Sequence, residues 1–146
     1  MGKYRKGVFI VTYRREKGKI LYLLLKRKLH WIGWEFPKGG AENSESLKEA
    51  AIREFFEETG ENAVKLKSYK ITGKYKYDRE YPDRKGFIGQ SYQLFSSEIK
   101  TKTIKFDKRE HSGYKWLPFD KAFSILTFPD KKVCLNYVNK ELMNGK

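Results

Sequence analysis

Cysteine is nearly absent. Cys134 is the only one in 146 residues, which excludes an internal disulfide and any cysteine-cluster zinc site. Long apolar runs are missing as well: stretches such as Leu21–Leu25 fall far short of the ~18 residues that read as a membrane span. The basic N-terminus is not followed by a long apolar stretch, so no secretory leader is expected. No repeat, Ser/Gly-rich linker or low-complexity segment divides the chain. Its length fits one domain, 1–146, large enough to bury a real core. Hydrophobic residues at 39% and aromatics at 16% argue against disorder. The expectation is a soluble, cytoplasmic globular domain with no membrane partner.

Acids are the scarcer charge, 18 against 32 Lys and Arg, for a net of +14. That excess favours polyanionic partners by long-range steering, although a lysine-rich surface also serves solubility. Its distribution is informative. Residues 1–30 hold ten Lys/Arg and one acid, Glu16, a net of +9. Residues 35–61 hold eight Glu against Lys38, Lys48 and Arg53, a net of −5, which leaves +10 for 62–146. A plain nucleic-acid groove should be basic throughout. One acidic segment in a basic chain suits an enzyme that holds cations on carboxylates and phosphates on lysines.

Tyr4–Tyr13 and Lys19–Lys26 are rich in β-branched, aromatic and aliphatic residues and read as strands joined by the polar turn Arg14–Gly18. His30–Gly40 should be irregular or briefly extended. A helix follows, capped by Asn43 or Ser44, with Leu47, Ala51 and Phe55 at helical spacing and Gly60 as its stop. Val64–Tyr81 and Phe87–Glu98 read as strands around a turn at 82–86, and His111–Leu117 as another. Pro118 and Pro129 each open a terminal helix. This order predicts an α/β fold, a mixed sheet sandwiched by helices.

The central helix carries Arg53-Glu54-Phe55-Phe56-Glu57-Glu58. Glu54 stands three and four residues before Glu57 and Glu58, so the three carboxylates share one side and repel one another unless a cation sits between them. Carboxylate oxygens suit Mg²⁺ or Mn²⁺. Ahead of the helix, Glu35-Phe36-Pro37-Lys38-Gly39-Gly40 is a tight glycine turn whose backbone can approach a ligand, with Lys38 as a point charge for phosphate.

Gly39, Glu45 and Arg53-Glu54-Phe55-Phe56-Glu57-Glu58-Thr59-Gly60 stand at the spacing of the Nudix box, and the chain resembles the Nudix hydrolase family. Glu61 departs from the aliphatic residue that the family carries after the last glycine, a position of packing rather than chemistry. The resemblance implies an α/β/α sandwich with the box as loop–helix–loop, and metal-assisted attack of water within a phosphoanhydride. It implies Glu54, Glu57 and Glu58 as ligands of Mg²⁺ (or Mn²⁺), the Lys38 backbone carbonyl as another, and Glu54 or Glu57 as the base. Arg53 and Glu45 look like orienting partners of the cluster, or an ordinary ion pair, and Gly60 closes the box.

Beyond the box, Trp34-Glu35-Phe36-Pro37-Lys38-Gly39 resembles the approach to the box in dinucleoside tetraphosphate hydrolases and in decapping relatives. Tyr77 and Tyr81 lie near where the tetraphosphate group carries a base-stacking tyrosine; either is also a plausible sheet residue. Arg109-Glu110-His111 through Trp116-Leu117 resembles a late segment of asymmetrical diadenosine tetraphosphate hydrolases. Glu110 is then an auxiliary metal ligand or a surface acid, and His30 a phosphate contact or a structural histidine. Lys38, Gly39 and Gly40 line the phosphate path, with Lys74, Lys76, Arg79, Arg84 and Lys85 as candidate contacts. A proline about fifteen residues past the box, as in ADP-ribose hydrolases, is replaced by Lys76. The leading substrate is diadenosine tetraphosphate, giving ATP and AMP. RNA 5′-ends are the alternative within the family, and an RNA-binding module without turnover is the alternative outside it.

Overall fold

The computed structural model describes residues 2–145. Strand β1 (Lys3–Glu16) turns tightly into β2 (Lys19–Arg27), and two short strands follow, β3 (Gly33–Glu35) and β4 (Lys38–Gly40). Helix α1 (Leu47–Thr59) leads to the long strands β5 (Val64–Lys76) and β6 (Phe87–Glu98), with a 3-10 turn at Pro82–Arg84 between them. Strand β7 (His111–Leu117) and helices α2 (Phe119–Ile125) and α3 (Pro129–Asn144) complete the chain. Among the described residues no helix is long and apolar enough to cross a membrane.

The seven strands form one mixed sheet in which β1 and β6 are parallel and the other pairs antiparallel. β1 and β2 pair only near their shared turn, from Tyr13↔Tyr22 to Glu16↔Lys19. Beyond it β4 pairs with β1 and β3 pairs with β2. The sheet therefore forks, and residues 33–40 form a wedge in the fork. That wedge is the segment expected to be briefly extended.

Gly7–Arg14 is buried almost without interruption, as a strand covered on both faces must be. Successive side chains alternate between two cores. Phe9, Val11 and Tyr13 face Ala122, Leu135 and Val138 of α2 and α3. Val8 and Ile10 face Ala51 and Phe55 of α1. The α/β/α sandwich is thus present, with the box helix on one face and the terminal helices on the other.

Three boundaries differ from the sequence expectation. The β1–β2 turn is Lys17-Gly18 rather than Arg14–Gly18, because Arg14, Arg15 and Glu16 stay paired with β2. The cap of α1 is Ser46 rather than Asn43 or Ser44: the Ser46 hydroxyl accepts the Glu49 N–H at 3.1 Å, and the Glu49 carboxylate accepts the Ser46 N–H at 2.8 Å. A reciprocal capping box needs an acid or amide three residues after the cap; Ser44 has Leu47 there and Ser46 has Glu49. Strand β5 ends at Lys76, not Tyr81. Tyr77 still donates its N–H to Ile88, but 78–86 then leaves the ladder as a loop. Gly60 ends α1 as expected, in the left-handed conformation with φ 77°.

Candidate active site

α1 buries Ala50, Ala51, Glu54, Phe55, Glu58 and Thr59, the face defined by steps of four with their neighbours. Two of the three box carboxylates, Glu54 and Glu58, therefore point into the protein beside Phe55. They are 9% and 2% exposed. Glu57 sits to the side, half-exposed.

The wedge meets this face. The bonds from Ile10 N–H to Pro37 C=O and from Ala41 N–H to Lys6 C=O bracket the pairing of β4 with β1. By the alternation of an antiparallel ladder, Lys38 and Gly40 fall at positions whose N–H and C=O point away from β1. The Lys38 N–H donates to Glu58 at 3.1 Å, and the Gly40 carbonyl accepts from Arg53 at 2.8 Å. Arg53 also holds Glu45 in a two-pronged pair at 2.6 and 2.8 Å, and reaches Glu54 at 3.1 Å and Glu57 at 3.3 Å. The hydrogen bond from Arg53 keeps the Glu45 carboxyl at about 2. One guanidinium thus ties the loop to the helix.

The carboxylates beyond Arg53 are short of positive charge. Burial pushes the Glu54 carboxyl up to about 7, with Glu57 and Glu110 adding to it against the pull of Arg53. Glu58 is pushed well up by burial and then by the charges of Glu35, Glu110 and Glu54. Glu110, on the loop before β7, faces them: one ligand atom each from Glu58, Glu110 and His111 lies within 4.8 Å of the others. Glu54, Glu110, Gly39 and Arg27 line a small cavity of about 100 Å³. A Cβ at Gly39 would overlap the Glu54 carboxyl group, so the bare backbone is what admits that side chain. Glu54 and Glu110 each keep an arginine on one oxygen only, and carboxylate oxygens left beside a small cavity suit a hard divalent cation.

Behind the cluster lies a network that the sequence did not reveal. Glu35, fully buried, accepts from His111 Nε2 at 2.8 Å and from Arg27 at 3.3 Å, and faces Lys38 at 3.8 Å and Lys131 at 4.0 Å. Burial alone would raise the Glu35 carboxyl, but Lys38, His111, Arg27 and Lys131 together hold it at about 2. Arg27 also bonds Glu110 at 3.1 Å. His111 is completely buried, a structural histidine rather than a surface one.

A larger cavity of about 560 Å³ adjoins the small one, and Lys38 and Arg84 line both. Its walls carry Trp31, Tyr75, Tyr77, Tyr81 and Phe128 together with Lys74, Lys76 and Lys131. Tyr77 is half-buried and donates its hydroxyl to Gln90 at 3.2 Å. Tyr81 is 8% exposed, tilted 31° against the His30 ring with centres 4.0 Å apart, and donates to Asp78 at 2.7 Å. His30 places Nε2 3.2 Å from Asp83. Arg79 and Lys85 stay exposed outside this cavity. Tyr77, Tyr81, His30, Lys38, Lys74, Lys76 and Arg84 are brought together; Trp31 joins them beside His30, and Lys131 from a segment where the sequence carried no binding signal.

Residues 3–136 match the NUDIX domain family model. An RNA pyrophosphohydrolase of Nitratiruptor sp. is 30% identical over 95% of this chain and 96% of that protein. A putative 8-oxo-dGTP diphosphatase of Bacillus subtilis is 30% identical over 78% of this chain and 66% of that protein. Among solved structures, the C. elegans Ap4A hydrolase in a binary complex superimposes with a TM-score of 0.77 at 25% identity, covering 95% of this chain and 98% of that one. With the box helix, its glycine loop and the carboxylate cluster in place, the chain belongs to the Nudix family.

Proposed function

We propose that the protein is a Mg²⁺-dependent hydrolase of dinucleoside polyphosphates, with diadenosine tetraphosphate as the favoured substrate and ATP and AMP as products. The observation that carries this reading is the pair of adjoining cavities. One is small and carries Glu54 and Glu110 among arginines; the other is aromatic and cationic, large enough for a nucleoside, and they share Lys38 and Arg84. Base stacking on aromatic side chains is worth ~1–3 kcal/mol per base, and the lysines offset the charge of a long phosphate chain.

Glu54, Glu57, Glu58 and Glu110, with the outward-facing Lys38 carbonyl, are the groups that would hold the ion. Mg²⁺ supplies Lewis-acid polarisation of phosphoryl oxygens and lowers the pKa of water. The chain's own residues do the rest. Tyr77 holds the base. Lys38, Lys74, Lys76 and Arg84 align and screen the phosphates. Glu54, buried beside the small cavity, takes the proton of the water that attacks phosphorus as the anhydride P–O bond breaks. Arg53, fixed by Glu45 and Gly40, keeps Glu54 and Glu57 in position.

A second reading, pyrophosphate removal from RNA 5′-ends, draws on the Nitratiruptor relative and on exposed Lys65, Lys67, Lys70, Lys74 and Lys76 along the edge strand β5. Product analysis with Mg²⁺ separates the two. Diadenosine tetraphosphate, ADP-ribose, oxidised nucleoside triphosphates and 5′-triphosphorylated RNA are offered in parallel. ATP plus AMP from the first, with little turnover of the rest, upholds the leading reading. Preferential pyrophosphate release from the RNA replaces it with the second. A Glu57→Gln variant should lose turnover by orders of magnitude; a binding module without catalysis would be indifferent to it.

A further inference from the structure

Lys131 stands in the first turn of α3 and is only 2% exposed. Lysine is almost never fully buried unless paired, because an ammonium taken out of water must be compensated. Among the described residues its Nζ makes no hydrogen bond. It faces Oε1 of Glu35 at 4.0 Å, and Lys38 Nζ faces the same oxygen at 3.8 Å. That oxygen has no hydrogen-bond partner, while the other oxygen of Glu35 is taken by Arg27 and His111. Two buried ammonium groups thus share one half of one carboxylate.

The remaining cover of Lys131 is aromatic. Its Nζ lies 4.6 Å from the ring centre of Phe128, 5.1 Å from that of Trp31 and 5.3 Å from that of Phe9. Ring faces attract a cation but do not neutralise it. The position is also the wrong end of a helix for a cation, since the N-terminus carries the positive pole. Burial first, and then the charge of Lys38, push the Lys131 ammonium pKa down. Asp130 lines the same cavity and offsets part of this charge. Lys131 and Lys38 both line the aromatic cavity, as does Tyr75, whose hydroxyl accepts from Lys38 at 3.4 Å.

We propose that Lys131, together with Lys38 and the Tyr75 hydroxyl, forms an anion subsite in the wall of the aromatic cavity that takes non-bridging phosphoryl oxygens of a nucleoside polyphosphate. This deepens the reading given under Proposed function and rests on it for the identity of the ligand. Lys131 and Tyr75 line the aromatic cavity while Glu54 and Glu110 line the small one, so the subsite acts on binding and phosphate number rather than on the bond-breaking step. An anion delivered there supplies the charge that Glu35 divides between two lysines.

The test is equilibrium binding in Mg²⁺ buffer of two probes, adenosine and a methylene-bridged triphosphate that resists hydrolysis. Wild type is compared with Lys131→Met, which keeps the length and the contact with the three rings, and with Lys131→Arg. Loss of one charge-assisted contact predicts about 10- to 100-fold weaker binding of the triphosphate to Lys131→Met. Adenosine binding should stay within about twofold, and Lys131→Arg should recover much of the loss. Equal triphosphate affinity in wild type and Lys131→Met overturns the proposal. So does a parallel loss of both probes, which would mark Lys131 as a structural cation. If the selective loss appears while diadenosine tetraphosphate is not hydrolysed, the subsite stands and the substrate reading falls.

Discussion

The backbone of Gly39 and the carboxyl group of Glu54 are in such close approach that a methyl group on residue 39 would overlap the carboxyl carbon and both oxygens. Glycine is required here for space rather than for an unusual backbone angle, since Gly39 is not among the residues with positive φ. Gly39→Ala should therefore displace Glu54 and lower turnover by about 100-fold, the scale of an ångström-sized misplacement of a reacting group. The fold should survive, because β4 remains paired to β1. Steady-state kinetics beside a thermal melt checks this. Activity within a few-fold of wild type would mean that Glu54 does not need this position.

Arg53 makes its shortest bonds to Glu45 and Gly40, and longer ones to Glu54 and Glu57. It is thus a positioning residue whose effect reaches substrate through the carboxylates. Loss of a partner behind a metal ligand commonly costs 10–100-fold in metal affinity. Glu45→Gln should raise the Mg²⁺ concentration needed for half-maximal activity by that factor while leaving activity at saturating Mg²⁺ nearly intact. A Mg²⁺ titration of the variant decides; an unchanged midpoint would reduce the Glu45–Arg53 pair to a surface ion pair.

Glu54 also makes the metal-free protein sensitive to pH in a defined window. Its carboxyl is raised by burial from an ordinary 4.5 to about 7, so between those values the folded state binds more proton than the unfolded state. Stability then falls as pH rises from about 5 to 7.5, by on the order of 3 kcal/mol from this group. Glu35, held at about 2, contributes stability that is fully present above about 4.5 and does not vary across this window. His30, whose pKa is lowered chiefly by burial, acts in the opposite sense, and so the difference between wild type and Glu54→Gln is the informative quantity. With EDTA, wild type should lose more melting temperature than Glu54→Gln between pH 5 and 7.5, and Mg²⁺ should recover most of the loss. Parallel curves for the two proteins would contradict the raised carboxyl.

The box was legible because its signals are local. Gly39, Glu45, Arg53, Glu54, Glu57, Glu58 and Gly60 lie within one loop and one helix, where spacing puts Glu54 and Glu58 on the buried face and leaves Glu57 at its margin. The Ser46 cap was missed by two residues because serine and asparagine advertise the same chemistry, and only the partner three residues on distinguishes them. The network behind the site was not legible at all. Arg27 and His111 are opposite one another in the β2–β7 pairing, yet 84 positions apart in sequence, and no periodicity marks such a pair. Lys131 was hidden more deeply: the sequence marks only the helix that Pro129 opens, and docking of that helix beside the wedge is what places its ammonium against Glu35. Buried charge depends on tertiary structure, and it is where sequence reading was weakest.

Tyr77 and Tyr81 divide the remaining question of base recognition. Their rings meet edge to face with centres 5.4 Å apart, but Tyr81 is already covered by His30 on one side and anchored to Asp78 by its hydroxyl. With the ring 8% exposed, a base reaches the face that His30 covers only by displacing His30. Tyr77 is less buried and lies beside Arg84, whose guanidinium sits 5.2 Å from its ring centre. Tyr77→Ala should raise KM for diadenosine tetraphosphate by about 10-fold or more with kcat little changed, the scale of one lost base stack. Tyr81→Phe removes only the Asp78 bond; it should cost about 1 kcal/mol of stability and leave KM within about twofold. Kinetics of both variants on the same substrate, with melts alongside, separates stacking from support. A KM rise in Tyr81→Phe as large as that in Tyr77→Ala would mean that the tyrosine against His30, not its neighbour, carries the base.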